Sequence, residues 1–298
     1  MVFSDVTLQD RELFKQIRQS CDLYSKSPAS DATFESIYCW GAGDGAQKCV
    51  VDEGIIAYYL YPDGPKAFYP PLVRKPEHFL PALNRIVGYC KQNGIDVYIE
   101  RLTKEMAALA KGFEPHEYRN YFEYLYRPED IISLAGGHYK SKRNLLNGFT
   151  EEYDYEFLPY APSMRKSVLD LAEYCCKDPD AHTFDDTERS AIERALDDMD
   201  ALNLFCDVIK VDGIIIAFAI WFVSEANDAV CLFEKADANY RGSYAAINNF
   251  IVSKRFGKCR YINRQEDVGI EGLRLAKMSW HPAGFAEKYI ITNRPDNL

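Results

Sequence analysis

The sequence predicts an α+β fold made twice: two tandem domains, each a mixed, mostly antiparallel sheet flanked by helices. Three observations carry this. First, Val51-Asp52-Glu53-Gly54-Ile55-Ile56-Ala57 is echoed by Val211-Asp212-Gly213-Ile214-Ile215-Ile216-Ala217. Second, each echo is followed by an aromatic-rich strand, a short strand, an amphipathic helix and another strand. That last strand reads Asp96-Val97-Tyr98-Ile99-Glu100 in copy one and Cys259-Arg260-Tyr261-Ile262-Asn263 in copy two, and a short helix then ends Ala110-Lys111 or Ala276-Lys277. Third, 298 residues suit two domains of about 150 each.

Composition narrows the class. Hydrophobic residues make up 47% of the chain, enough for a true core. The longest apolar run, Gly213 to Val223, is 11 residues, against about 20 for a membrane-spanning helix, so it reads as a buried strand. Met1-Val2-Phe3-Ser4-Asp5 lacks the basic start and apolar core of a signal peptide. The nine cysteines show no CxxC or Cys/His ligand spacing. Together these predict a reduced, cytoplasmic protein with no membrane span, no structural metal and no tightly bound cofactor. A formal charge of −10 argues against broad nucleic-acid binding.

The elements follow in order. Leu13, Phe14 and Ile17 have helical spacing. Asp44-Gly45 and Asp52-Glu53-Gly54 read as hairpin turns between strands. Phe79, Leu83, Ile86, Val87 and Cys90 form one helical stripe, ended by Asn93-Gly94. Pro128 and Gly136-Gly137 bracket a connector carrying the basic cluster Lys140-Ser141-Lys142-Arg143-Asn144. This places an N-terminal domain at 1–128, a basic linker helix at 129–150 and a C-terminal domain at 151–298. The second copy opens with a strand at Tyr153 to Tyr160, then a helix marked by Met164, Val168, Leu171, Ala172 and Cys175. Asp185 and Glu188 form a capping box for a helix burying Ile192, Ala195, Leu196 and Met199. Asp212-Gly213 turns between two strands, and Val230 to Glu234 is the next. A polar loop, Lys235 to Ser243, leads to a helix with Ile247, Phe250 and Ile251 inward. A strand (Tyr261 to Asn263), a helix (Ile270 to Met278) and a strand (Lys288 to Thr292) complete the copy.

This order resembles that of GNAT acyltransferases in tandem. At residue level the chain is more similar to the family named for the C-terminal domain of phosphatidylglycerol lysyltransferases. The matching stretches are Tyr139 to Asn144, Phe233-Glu234-Lys235-Ala236 with Tyr240-Arg241-Gly242 and Ala246-Ile247-Asn248, the run Ile262 to Arg274, and the tail Lys277 to Pro282. Ser36 to Gly41 matches in copy one. The resemblance implies a tandem GNAT fold and an acyl- or aminoacyl-transferring ancestry, with no particular substrate.

That fold implies a cleft where the strand before the long helix splays from its neighbour, with free N–H groups at the helix start to hold phosphates. In copy two the helix start is Tyr240 to Tyr244. Gly242 is expected to let a ligand approach the backbone, Arg241 to add a phosphate contact, and Ser243, Asn248, Lys142 and Arg143 to join in holding the donor. The outer residues Asn239 and Tyr244 depart from the acetyl-CoA pattern, and a plain helix-start turn is the competing reading. In copy one, Pro70, Pro71 and Pro76 remove donors and Glu77 opposes an anion.

Glu234 is the first candidate base, His281 the second, and Tyr244 a candidate acid. Glu266, Asp267, Arg274 and Lys277 are expected to orient an amine acceptor, unless they form only an ion-pair and capping network. The expected activity is acyl or aminoacyl transfer to an amine from a phosphate-bearing donor, acyl-CoA or aminoacyl-tRNA, the charge disfavouring tRNA. The alternatives are a non-catalytic binding module and a relative of lipid-headgroup aminoacyltransferases.

Overall fold

The computed structural model describes residues 1–61, 66–175 and 186–294. The chain divides into two compact units. The first comprises Met1–Glu123, Glu266–Gly269 and the chain from Phe285 on; the second comprises Tyr124–Gln265 and Ile270–Gly284. Each holds a mixed, mostly antiparallel sheet that includes a parallel pair, as the duplication predicts. In the first unit that pair is Lys66–Phe68 with Tyr98–Leu102; in the second it is Ala229–Ala236 with Ile262–Asn263.

The boundaries differ from the expected 128 and 150, and the reason is strand exchange. Glu123–Tyr126, written at the end of copy one, joins the second sheet beside Ile262–Asn263. Tyr289–Thr292, expected to complete copy two, lies in the first sheet between Tyr98–Leu102 and His116–Glu117. The basic helix Lys140–Glu152 is no linker either. Its Phe149 is fully buried in the second unit's core, with Leu145 and Leu146 packed beside it.

Local signals are realised where periodicity is strong. Phe14 and Ile17 are buried on the helix Arg11–Ser20. Phe79, Leu83, Ile86 and Cys90 are buried on Phe79–Asn93, which ends at Gly94 with φ 63. Asp212 (φ 51) and Gly213 (φ 78) turn the hairpin between Phe205–Val211 and Ile214–Val223, since the tightest hairpin turn needs positive φ at both central residues. From Ile215 to Phe222 that second strand is buried without interruption, which explains its unbroken apolar run. Gly45 differs from expectation. It caps the helix Phe34–Asp44 with φ 64, so Ser36 to Trp40 is helical and only Asp52–Glu53 makes a hairpin. Asp185 lies outside the described residues, so its half of the expected capping box does too.

Candidate functional site

The second unit's parallel pair is short. Ala229 and Val230 oppose Ile262 and Asn263, and then the strands part. Arg264 turns its amide to the carbonyl of Tyr124, 3.0 Å away, while Ala229–Ala236 runs on to Glu234. The gap is bridged by side chains. Arg264 Nη2 donates to Glu234 Oε1 at 2.6 Å, both side chains being about a tenth exposed or less. Asn248, fully buried on the helix Ser243–Ile251, donates Nδ2 to Glu234 Oε2 at 3.2 Å.

Two polar atoms here are buried without a partner in the structure: Arg264 Nη1 and Asn248 Oδ1. Such atoms cost on the order of 1–3 kcal/mol each and are uncommon in folded proteins. One is a donor, one an acceptor, and both belong to side chains that already hold Glu234. The wall is aromatic. Trp280 lies 5.5 Å from the Arg264 guanidinium and 4.8 Å from the Lys142 ammonium. Its carbonyl accepts from Tyr139 Oη. Lys277 Nζ donates to the Arg264 carbonyl at 2.7 Å, and its own carbonyl accepts from Tyr126 Oη at 2.8 Å. Burial, with the like charge of Arg264, brings the Lys142 pKa down to about 8, against the pull of Glu234.

The splayed gap and Glu234 lie together, and the turn that leads into the helix Ser243–Ile251 is held by protein at two of its amides. The Tyr240 amide donates to Asp237 O and the Ser243 amide to Tyr240 O. Ser243 Oγ donates to Asp237 O at 2.9 Å. Gly242 is needed for packing rather than for ligand approach: a Cβ there would lie 2.3 Å from the Leu145 carbonyl oxygen, at φ +92. Gly242→Ala is therefore expected to cost about 1–3 kcal/mol by urea denaturation. Gly148→Ala, in the open on the neighbouring helix, should instead gain up to about 1 kcal/mol. Equal effects at the two sites would refute the packing.

The remaining candidates separate. Arg143 Nη1 donates to the carbonyls of Leu134 and Gly136, so it caps a turn instead of gripping phosphate. His281, exposed, lies against His138 and Tyr139 with Nε2 3.2 Å from the His138 carbonyl. Tyr244 is exposed.

Glu266 and Asp267 fall in the first unit, Arg274 and Lys277 in the second. Glu266 accepts from Arg101 at 2.7 Å. Asp267, fully buried, accepts from Arg119 at 3.3 Å and from the Gly269 amide at 2.9 Å. This is the ion-pair network that the sequence left as the competing reading. Asp31, Glu123 and Glu266 bring carboxylates within 4.8 Å of one another, but the site carries its own cations. Lys288 holds Asp31 and Glu123, and Arg101 holds Asp31 and Glu266.

In the first unit the loop corresponding to the helix start is spent on the fold. Leu72–Val73 pairs with Gly54–Leu60, and Tyr24 Oη bridges the Pro71 carbonyl and the Val73 amide.

Arg264 and Trp280 were passed over as site residues. Both stand in the stretches that carried the family resemblance, but a lone arginine after a strand gives no local sign of its partner 30 positions earlier.

Comparison with known proteins agrees with this fold. The family model described as phosphatidylglycerol lysyltransferase, C-terminal, matches residues 24–292. A conserved protein of unknown function from Bacteroides thetaiotaomicron is 28% identical, with 97% of this chain and 98% of that one covered and a TM-score of 0.85. The C-terminal domain of a putative lysylphosphatidylglycerol synthetase from Agrobacterium fabrum is 17% identical over 97% and 92%, TM-score 0.68. A tandem GNAT protein from the clavulanic acid biosynthesis pathway is 9% identical over 98% and 97%, TM-score 0.52.

Proposed function

Because the chain belongs to the phosphatidylglycerol lysyltransferase C-terminal family, we propose that its second unit transfers an acyl or aminoacyl group from an activated ester to an amine, in the gap held by Glu234, Asn248 and Arg264. The observation that carries this is the unmatched pair Arg264 Nη1 and Asn248 Oδ1. A free guanidinium N–H suits a carbonyl oxygen that gains negative charge as it is attacked. A free amide oxygen suits an amine N–H. Glu234, between them, accepts the proton the amine loses. The amine nitrogen bonds to the acyl carbon, the C–O or C–S bond of the donor breaks, and the departing alcohol or thiol takes the proton that Glu234 received.

An aminoacyl ester is favoured over acyl-CoA. Asn239 and Tyr244 occupy the outer positions of the acetyl-CoA pattern, which weakens the support for a pyrophosphate grip. Lipid head groups remain among the acceptors to be tried. Among the described residues no helix is long and apolar enough to cross a membrane.

The test is single-turnover loss of label from aminoacyl-tRNA and from acyl-CoA, with free primary amines or phosphatidylglycerol vesicles as acceptor. Glu234→Gln should lower the rate by about 10²–10⁴-fold with the fold retained. Wild-type rates in Glu234→Gln would remove Glu234 as the base. Failure of the native protein to consume either donor would leave the non-catalytic binding module.

A further inference from the structure

We propose that Lys142 is a lysine acylation site: its Nζ is taken by activated esters or thioesters, and the resulting Nε-acyl-lysine blocks the gap beside Glu234. Three observations meet at this residue. Lys142 is half-buried on the helix Lys140–Glu152. Among the described residues its ammonium has no hydrogen bond or ion pair, and its recorded contact is the Trp280 ring at 4.8 Å. Its like-charged neighbour Arg264 is already paired with Glu234, so the pull of that carboxylate on Lys142 is outweighed by burial and by Arg264.

The chemistry needs nothing more than the donor. The neutral amine adds to the acyl carbonyl, the C–O or C–S bond breaks, and the departing alcohol or thiol takes up the proton released from nitrogen. A lysine that is neutral to an appreciable extent near pH 8 is a far better nucleophile there than an ordinary one titrating near 10.4. Acylation also removes one of the two cations beside Glu234 and fills the space over Trp280.

Lys140 serves as internal reference. It lies two positions earlier on the same helix and is exposed, so reagent, pH and protein are identical for both. The intact protein is treated with substoichiometric acetyl N-hydroxysuccinimide ester, and separately with acetyl-CoA. Modified peptides are quantified by mass spectrometry from pH 6.5 to 9.5. Lys142 should react at least about tenfold faster than Lys140 below pH 8, with its rate levelling above about pH 8. Lys142→Arg should abolish the labelled peptide. Equal rates at the two lysines, or a Lys142 rate still rising at pH 9.5, would overturn the proposal.

The inference does not rest on the cleft being catalytic. Lys142 labelling without transfer to amines removes only the proposed function; transfer to amines with Lys142 unlabelled removes only this inference.

Discussion

Lys288→Met should lower the stability of the protein by about 3–5 kcal/mol near pH 8, with the loss shrinking as the pH falls toward 6. Lys288 is wholly buried and holds Asp31 and Glu123, themselves buried. Removing its charge leaves two carboxylates in low dielectric without the ammonium they share, Asp31 still bonded to Arg101 at 2.6 Å and Glu123 to Ser30. Burial already raises the Glu123 pKa, with Asp31 adding to it. Burial likewise raises Glu100, to about 7. Asp31 goes the other way: burial opposes its ionisation, but Lys288 and Arg101 outweigh it and hold its pKa down.

The sign of the pH effect follows. A carboxyl whose folded pKa is raised binds more protons folded than unfolded, so its favourable contribution is full below the unfolded pKa and is lost as pH rises through the folded one. For Glu100 that window runs from the ordinary 4.5 to about 7. Urea denaturation of the native protein should therefore show stability falling across this window, and Glu100→Gln should flatten the slope. Asp31 contributes in the opposite sense and only below about 4. A Lys288→Met loss that is unchanged between pH 6 and 8 would mean the freed carboxylates find water or another cation.

Arg264→Met is the second large effect, again about 3–5 kcal/mol. It strands Glu234, 8% exposed, with Asn248 as its remaining hydrogen-bond partner. The double variant Glu234→Gln with Arg264→Met should recover most of that loss, because no buried charge then goes unmatched. The cycle separates two costs: the single variant reports the stranded carboxylate, the double one the net worth of the pair, which is often near zero for buried ions. Additive losses in the double variant would show that Arg264 contributes by packing on Trp280 instead. The same double variant should be inactive in acyl transfer even though it is folded, since both the proton acceptor and the carbonyl donor are gone.

The parts of this fold that were legible in the sequence are those set by near neighbours. The buried stripe from Phe79 to Cys90, the left-handed caps and turns at Gly94 and Asp212-Gly213, and the buried run Ile215 to Phe222 each follow from helical or strand period and from glycine's tolerance of positive φ. Gly45 shows the limit of such signals. The same dipeptide type, Asp-Gly, serves a hairpin or a helix end, and only the packing of Phe34 to Cys39 chose the helix. Of the site, Glu234 and its position beside the gap could be read in advance, because a splayed strand belongs to the resembled fold. Its partner could not.

By itself, then, the sequence determined that this protein is a duplicated α+β unit with a tandem GNAT-like fold and where its charged residues lie along each element. Tertiary structure alone decided that Tyr289–Thr292 closes the first sheet and Glu123–Tyr126 the second, that Glu266 and Asp267 serve ion pairs, and that Arg264 and Lys142 flank Glu234. The physical reason is that hydrogen bonding between strands is made by backbone common to every residue, and a buried charge accepts any opposite charge within reach. Neither carries an address, so which strands and which ions meet is fixed only when the whole core closes.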